Sequence, residues 1–234
     1  MIDLHNHLLP DWDDGAADEA ESLRMMETAR ADGITRIVLT PHVFRMTRPG
    51  REIGDLKPRM ARFLARPRPA GLDLLPGAEV AYTAGLIEAV KEHGLTIAGT
   101  SYVFVELPSL SVPPDIPELV VRMMRADLIP IISHPERNAV LARSPQVLYD
   151  LVRRGALAQV TAQSLTGDFG RPVRRTAEKF LRQGLAHIIA SDAHNAGARP
   201  PRLSRAVEAA AKVVGRERAE AMVTSVPAAI LADE

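Results

Sequence analysis

The chain has no cysteine among its 234 residues. This absence excludes disulfide bonds, thiolate metal ligands and a cysteine nucleophile. The side chains that remain as strong metal ligands are those of His, Asp and Glu. Any metal site or nucleophile must therefore be built from imidazole, carboxylate or water.

An excess of charge of either sign is also missing, because 29 Lys and Arg residues balance 29 Asp and Glu residues. This balance does not favour nucleic acid or a membrane surface as a partner. No apolar run is long enough to span a bilayer, and the start lacks the pattern of a signal peptide. We therefore expect a cytoplasmic protein without nucleic-acid partner or membrane insertion, and the sequence leaves its oligomeric state open.

Short apolar runs alternate with longer amphipathic stretches along the whole chain. The alternation, without any break in composition, predicts one α/β domain over residues 1–234 with a parallel sheet. A TIM-like barrel and an open doubly wound sheet both satisfy this pattern, but no glycine-rich phosphate loop follows the first strand, which favours the barrel. The predicted strands are 2–4, 34–39, 72–75, 102–105, 129–132, 158–160 and 187–190. The predicted helices are 18–32, 55–65, 85–92, 116–126, 145–154, 171–183, 201–214 and 216–223.

Residues that can bind metals follow almost every predicted strand. His5 and His7 lie two residues apart and so share one face of the first strand, and Asp192 and His194 repeat this spacing after the last. Barrel active sites form where the C-terminal ends of the strands meet. The candidate metal ligands are His5, His7, Asp14, His42, Glu79, Glu106, His134, Asp192 and His194.

Nine ligands are too many for one ion and fit two or three. Four clustered carboxylates would repel one another, and divalent cations would remove that cost. Mixed imidazole and carboxylate ligands suit Mn²⁺, Fe²⁺ or Zn²⁺.

Metal clusters of this kind suit hydrolysis, with a phosphate ester, an amide or a lactone as the possible substrate. Arg137 and Arg199 lie close in sequence to His134 and Asp192, and guanidinium groups match phosphate oxygens at two points. The four lysines do not follow predicted strands, which disfavours amidohydrolases that use a carboxylated lysine. A phosphomonoester is therefore the favoured substrate, with Arg137 and Arg199 as the candidate catalytic residues.

Seven motifs in order resemble the polymerase and histidinol phosphatase (PHP) superfamily, and most closely its bacterial protein-tyrosine phosphatases. They are IDLHNHLLP, DDGA, TPH, GAEV, VELP, SHPER and SDAHN, between residue 1 and about residue 202. The resemblance implies a distorted seven-stranded, TIM-like (β/α)7 barrel with three metal ions, usually manganese. It also implies hydrolysis of phosphotyrosine on the tyrosine autokinases of capsule and exopolysaccharide synthesis.

The resemblance also implies how the ligands are shared. One metal ion would be held by His5, His7, Glu79 and Asp192. A second would be held by Glu79, Glu106 and His134, and a third by Asp14, His42 and His194. Arg137 and Arg199 match the arginines that bind the substrate phosphate.

We therefore expect a metal-dependent protein-tyrosine phosphatase, a hydrolase in which a metal-bridging hydroxide attacks phosphorus directly. The alternatives are a small-molecule phosphatase, such as one acting on histidinol phosphate, and a non-catalytic module stabilised by metal. Two features depart from the family's usual pattern, the pair Asp11 and Trp12 and the loop 43–50. The arginines within 45–51 are either solvated surface or a docking site for an acidic phosphotyrosine tail.

Overall fold

The computed structural model describes residues 1–234, which form nine strands and eleven α-helices. The strands are β1 (Ile2–Asn6), β2 (Arg36–Leu39), β3 (His42–Val43), β4 (Asp73–Pro76), β5 (Glu79–Ala81), β6 (Tyr102–Glu106), β7 (Ile129–Ser133), β8 (Leu157–Thr161) and β9 (Ile188–Ala190). The helices are α1 (Glu19–Ala31), α2 (Ile53–Leu64), α3 (Leu86–His93), α4 (Ile116–Arg125), α5 (Ala139–Arg143), α6 (Pro145–Arg153), α7 (Ala162–Thr166), α8 (Arg171–Arg182), α9 (Ser204–Val214), α10 (Arg216–Ala221) and α11 (Ser225–Ala232). Short 3₁₀ turns lie at Ile97–Gly99 and Pro135–Arg137.

All paired strands are parallel and belong to two sheets. One sheet has the order β1-β2-β4 and the other the order β3-β5-β6-β7-β8-β9. Backbone hydrogen bonds also join the end of β1 to the segment after β9, since Asp192 N donates to His5 O and His7 N donates to Ala193 O, both at 2.9 Å. The predicted α/β fold of the TIM-like type is confirmed, with these two bonds joining the outer strands of the two sheets.

Two strands are each divided into two short strands, of which the sequence predicted only the first. The predicted strands 34–39 and 72–75 correspond to β2 and β4, and β3 and β5 follow them outside the predicted ranges. β2 pairs with β4, whereas β3, which follows Pro41, pairs with β5. Proline cannot donate a hydrogen bond to a ladder. At Gly77, between β4 and β5, a Cβ atom would lie 2.7 Å from a Val38 side-chain carbon, so this close approach requires glycine. The division pairs His42 with Glu79 in register and so brings two candidate ligands together.

The main apolar core contains 53 buried residues from the strands and helices. A separate cluster of nine buried apolar residues includes Ile2, Leu4 and Phe104 on the strands and Ile230 on α11. The Phe104 ring lies 4.8 Å from the His5 ring, measured between centroids. The candidate ligand His5 therefore packs against this second apolar cluster.

The eight predicted helices correspond to α1–α4, α6 and α8–α10. Helices α5, α7 and α11 were not predicted. Helices α5 and α7 have only five residues each, too few to show a helical period, and α11 (SVPAAILA) is apolar almost throughout and so shows no amphipathic pattern. None of the helices is long and apolar enough to cross a bilayer.

The His187 imidazole connects β8 to β9 and should make stability depend on pH. Its Nδ1 accepts a hydrogen bond from Ala158 N at 3.1 Å, which requires that nitrogen to be unprotonated. Burial, and then the Arg218 guanidinium, lower its pKa below the ordinary value of 6.5. The unfolded chain thus binds this proton more tightly, so we expect stability to fall as the pH decreases through about 6.5 and below.

His187→Asn keeps an acceptor for Ala158 N but cannot titrate. We expect the variant to be less stable than wild type at about pH 7.5, and this deficit to narrow by about pH 5.5. Urea unfolding of both proteins under identical metal conditions measures the difference. A deficit independent of pH would contradict the expectation.

Candidate metal centre

The nine candidate ligands lie together at the C-terminal ends of the strands. His5 lies within β1 and His7 just after it, while His42, Glu79 and Glu106 lie on β3, β5 and β6. The other four lie in the loops that follow β1, β7 and β9, and are Asp14, His134, Asp192 and His194. Because parallel strands direct their C-terminal ends to one rim, residues distant in sequence become neighbours.

Glu79 lies at the centre of the cluster and is fully buried. Its Oε1 lies 3.0 Å from His134 Nε2. Its Oε2 lies 3.0 Å from His42 Nδ1 and 3.3 Å from His5 Nε2. One carboxylate thus faces imidazoles from three different strands or strand ends.

Three groups of donors lie close enough to share an ion, with ligand atoms within 4.8 Å of one another. They are His7, Asp14, His42 and His194; His5, His7 and Asp192; and His42, Glu79 and Glu106. This grouping overlaps the three sets implied by the sequence resemblance, with three differences. His7 joins the group of Asp14, Glu79 is absent from the group of His5, and His42 joins the group of Glu106. His134 contacts Glu79 without joining a group. The assignment of each residue to an ion stays a prediction.

The donor atoms are better placed to bind divalent cations than to form hydrogen bonds with one another. His42 Nδ1 and Glu79 Oε2 are buried and lie 3.0 Å apart without forming a hydrogen bond of good geometry, and Glu106 Oε2 is also buried without a hydrogen bond. A buried polar atom left unsatisfied costs about 1–3 kcal/mol. His5 Nε2 and His7 Nε2 also face each other at 3.2 Å. Cations between these atoms would satisfy all of them.

The charges of the cluster shift the pKa values of its members. Burial alone would lower the pKa of His5, but Glu79 and Asp192 raise it to about 9. Burial opposes protonation of His42 as well, yet the Glu79 and Glu106 carboxylates raise its pKa to about 9. Burial and the Glu79 charge raise the pKa of Glu106. The site therefore favours bound positive charge. Protons on His5 and His42 supply this charge when no metal ion is bound.

Two buried side chains that sequence reasoning missed orient His5 and His7. Asp13 Oδ2 lies 2.8 Å from His7 Nδ1 and accepts from His42 N at 2.8 Å. Gln159 Oε1 lies 3.0 Å from His5 Nδ1. Each bond assigns the proton to Nδ1 and leaves Nε2 free to face the cluster. The only sequence signal for Asp13 was its place beside Asp14.

Other buried polar groups fix the loops that carry the ligands. Asp3 accepts hydrogen bonds from Ser191 N at 2.9 Å and from Asn6 Nδ2 at 3.0 Å, and so joins β1 to the loop of Asp192. His134 and Asp192 have positive φ angles of 33° and 51°. Such strained backbone persists where the surrounding structure holds it, often at functional sites.

Arg137 and Arg199 lie on the rim of a cavity of about 250 Å³ that opens over the cluster. Arg137 Nη1 and Arg199 Nη2 lie 2.6 and 2.8 Å from Asp192 Oδ2. Both guanidinium groups also lie over the Phe169 ring, at 5.0 and 6.0 Å from its centroid. Phe169 was not identified from the sequence.

The arginines of the loop 45–51 are paired with carboxylates. Arg45 binds Glu106 at 2.8 Å, and Arg48 lies 3.6 Å from Asp11, which Arg51 also contacts. This pairing favours the surface interpretation of the loop over a free basic docking site.

The departure at Asp11 and Trp12 has a structural role. Asp11 contacts Arg48 and Arg51 of that loop. Trp12 is buried and donates from Nε1 to His42 O at 2.9 Å. These residues hold the loop and β3 in place.

The class that the fold defines is that of TIM-barrel-like proteins. Histidinol phosphate phosphatase from Lactococcus lactis, solved with zinc, L-histidinol and phosphate, shares this fold with a TM-score of 0.60 at 11% identity, covering 93% of each chain. At that identity the similarity concerns the fold alone.

The chain belongs to the CpsB/CapC family of capsular polysaccharide synthesis, whose profile matches residues 1–232. Tyrosine-protein phosphatase YwqE of Bacillus subtilis is 35% identical over 224 residues, which cover 93% of this chain and 86% of that protein. Tyrosine-protein phosphatase CpsB of Streptococcus pneumoniae is 26% identical over 242 residues, covering 100% and 99%. A crystal structure from a study of these two proteins, described as metal-dependent tyrosine phosphatases, matches with a TM-score of 0.88 at 31% identity and covers 100% of this chain and 95% of the other.

Asp13→Asn tests the orienting role of the carboxylate next to His7. An amide cannot accept from His7, His42 N and Gly15 N together, so we expect metal affinity to fall about 10–100-fold. Titration of the metal-free protein with Mn²⁺ measures this. Asp73→Asn, at a carboxylate that is 68% exposed and far from the cluster, is the matched control. Equal affinities in the two variants would contradict the expectation.

Proposed function

We propose that this chain is a metal-dependent protein-tyrosine phosphatase and that residues 1–234 act as one phosphoesterase domain. The observation that carries the proposal is a cluster of eight grouped donors, with His134 beside Glu79 as the ninth, beneath a cavity that two arginines border. Membership of the CpsB/CapC family and similarity to named tyrosine phosphatases support it.

The nine donors would hold two or three divalent ions, and we propose Mn²⁺ in preference to Fe²⁺ or Zn²⁺. Buried donor atoms without hydrogen bonds, notably on His42 and Glu79, support bound cations. The choice of Mn²⁺ rests on the resemblance to PHP phosphatases, which usually use manganese. Such ions supply a deprotonated water near neutral pH and neutralise charge on phosphate oxygens.

The residues of the chain bind and orient the phosphoryl group. Arg137 and Arg199 would donate to its non-bridging oxygens, because planar guanidinium groups match such oxygens at two points. The phenolate of tyrosine is a moderate leaving group, with a pKa of about 10. With no cysteine in the chain, hydrolysis proceeds without a phosphocysteine intermediate.

We propose a phosphotyrosine protein as the substrate, and more narrowly the tail of a tyrosine autokinase of polysaccharide synthesis. The family's role in capsular polysaccharide synthesis supports this choice. The cytoplasmic location expected from the sequence belongs to the same proposal.

The test is hydrolysis of a phosphotyrosine peptide beside a phosphoserine peptide and histidinol phosphate, with Mn²⁺ and after chelation. We expect chelator-sensitive activity that prefers phosphotyrosine. Preference for histidinol phosphate would replace the proposed substrate with a small molecule. Metal-loaded protein without turnover on any of them would favour the non-catalytic module.

Arg137→Ala should lower kcat/KM on phosphotyrosine about 10²–10³-fold, the usual effect of removing one donor to a developing negative charge. Its metal content should stay unchanged, because Arg137 is not among the nine donors. Arg143→Ala, at an exposed arginine on α5, is the control. Unchanged kinetics in the Arg137 variant would refute its assigned role.

Phe169→Leu should show that the ring positions the two arginines. The variant keeps apolar bulk but loses the aromatic face on which both guanidinium groups lie. An exposed cation–π contact contributes about 1 kcal/mol, so we expect kcat/KM on free phosphotyrosine to fall roughly fivefold. Phosphate inhibition should weaken in parallel, and Phe169→Tyr should restore both values. A tyrosine variant as impaired as the leucine variant would contradict this role.

A further inference from the structure

A groove of about 480 Å³ adjoins the cavity over the donor cluster. It runs between the loop after β3, with Phe44, and the loop after β6, with Leu110. Arg45, Glu106 and Ser109 line both the groove and the cavity, so the two spaces are continuous.

Exposed apolar side chains concentrate at this place. The chain exposes only six large apolar residues, and three of them border the groove or the cavity. Leu110 is 83% exposed, Met46 50% and Phe44 47%. Exposed apolar residues scattered singly need no explanation, but a group beside a polar site indicates a binding surface.

The backbone holds two of these residues in an unfavourable conformation. Phe44 and Met46 have φ angles of 66° and 55°, in a region that bulky residues rarely adopt. Arg45 lies between them and binds Glu106 at 2.8 Å. Such strain costs about 1–3 kcal/mol per residue and persists where the structure enforces it. Here it accompanies the exposure of the Phe44 and Met46 side chains beside the site.

We propose that the groove binds the polypeptide next to the phosphotyrosine and receives a large apolar side chain one or two residues away from it. This inference rests on the proposed function. An extended chain advances about 3.4 Å per residue, so a groove continuous with the cavity lies within reach of those neighbours. A free phosphorylated metabolite has no segment that would occupy it.

Steady-state kinetics on three substrates test the groove. Two phosphotyrosine peptides differ only in carrying leucine or serine on both sides of the phosphotyrosine, and free phosphotyrosine is the third substrate. We expect Mn²⁺-loaded wild type to prefer the leucine peptide about tenfold, mainly through KM, as for a modest apolar pocket. Leu110→Ser and Phe44→Ser should remove this preference and leave hydrolysis of free phosphotyrosine unchanged.

Leu23→Ser is the matched control, because Leu23 is 44% exposed on α1 and does not line the groove. It should keep the preference for the leucine peptide. Equal rates on both peptides in wild type, or a preference for the leucine peptide that survives in Leu110→Ser, would refute peptide binding by the groove. The proposed function would stand in either case. Conversion of a dimer to a monomer in Leu110→Ser, without change on peptides, would assign the groove to a second copy of the chain. No hydrolysis of any substrate would overturn the proposed function and the groove's occupant together.

Discussion

The structure depends on the compensation of buried negative charge around Glu79. This carboxylate has no exposed surface, and histidines from β1, β3 and the end of β7 face it. A buried carboxylate without partners would be protonated or would destabilise the fold. The imidazoles hold its pKa well below the ordinary value despite burial. The same need for positive charge that fixes this arrangement makes it suited to divalent cations.

Histidines reach Glu79 because two strands are each divided into two near the C-terminal end of the barrel. Pro41 ends the β2 ladder, and the close approach at Gly77 allows β5 to pair with β3. His42 and Glu79 thus lie in register at the point where the barrel-like sheet opens. Asp13 and Gln159 then direct the imidazoles inward, so that orientation is set by the protein before any ion binds.

The positions of the strands and the residues at their ends could be predicted from the sequence, because apolar runs and strand-end His and carboxylate residues are local patterns. The divided strands could not be predicted, since they depend on which neighbour each half pairs with. The same holds for Gln159 and Phe169, which contact His5 and Arg137 from distant segments. Arg45 and Glu106 are likewise 61 positions apart in the sequence, so their pairing could not be predicted. From the sequence alone, the loop 45–51 therefore showed only its arginines.

Glu79 faces His5, His42 and His134 at once, so the binding of several ions by the cluster would depend on this carboxylate. The most direct test is elemental analysis of metal bound per chain after reconstitution with Mn²⁺, for wild type and for the near-isosteric Glu79→Gln. We expect two or three ions per chain in wild type and at most one in the variant. Equal metal content in the two proteins, or fewer than two ions in wild type, would contradict this expectation.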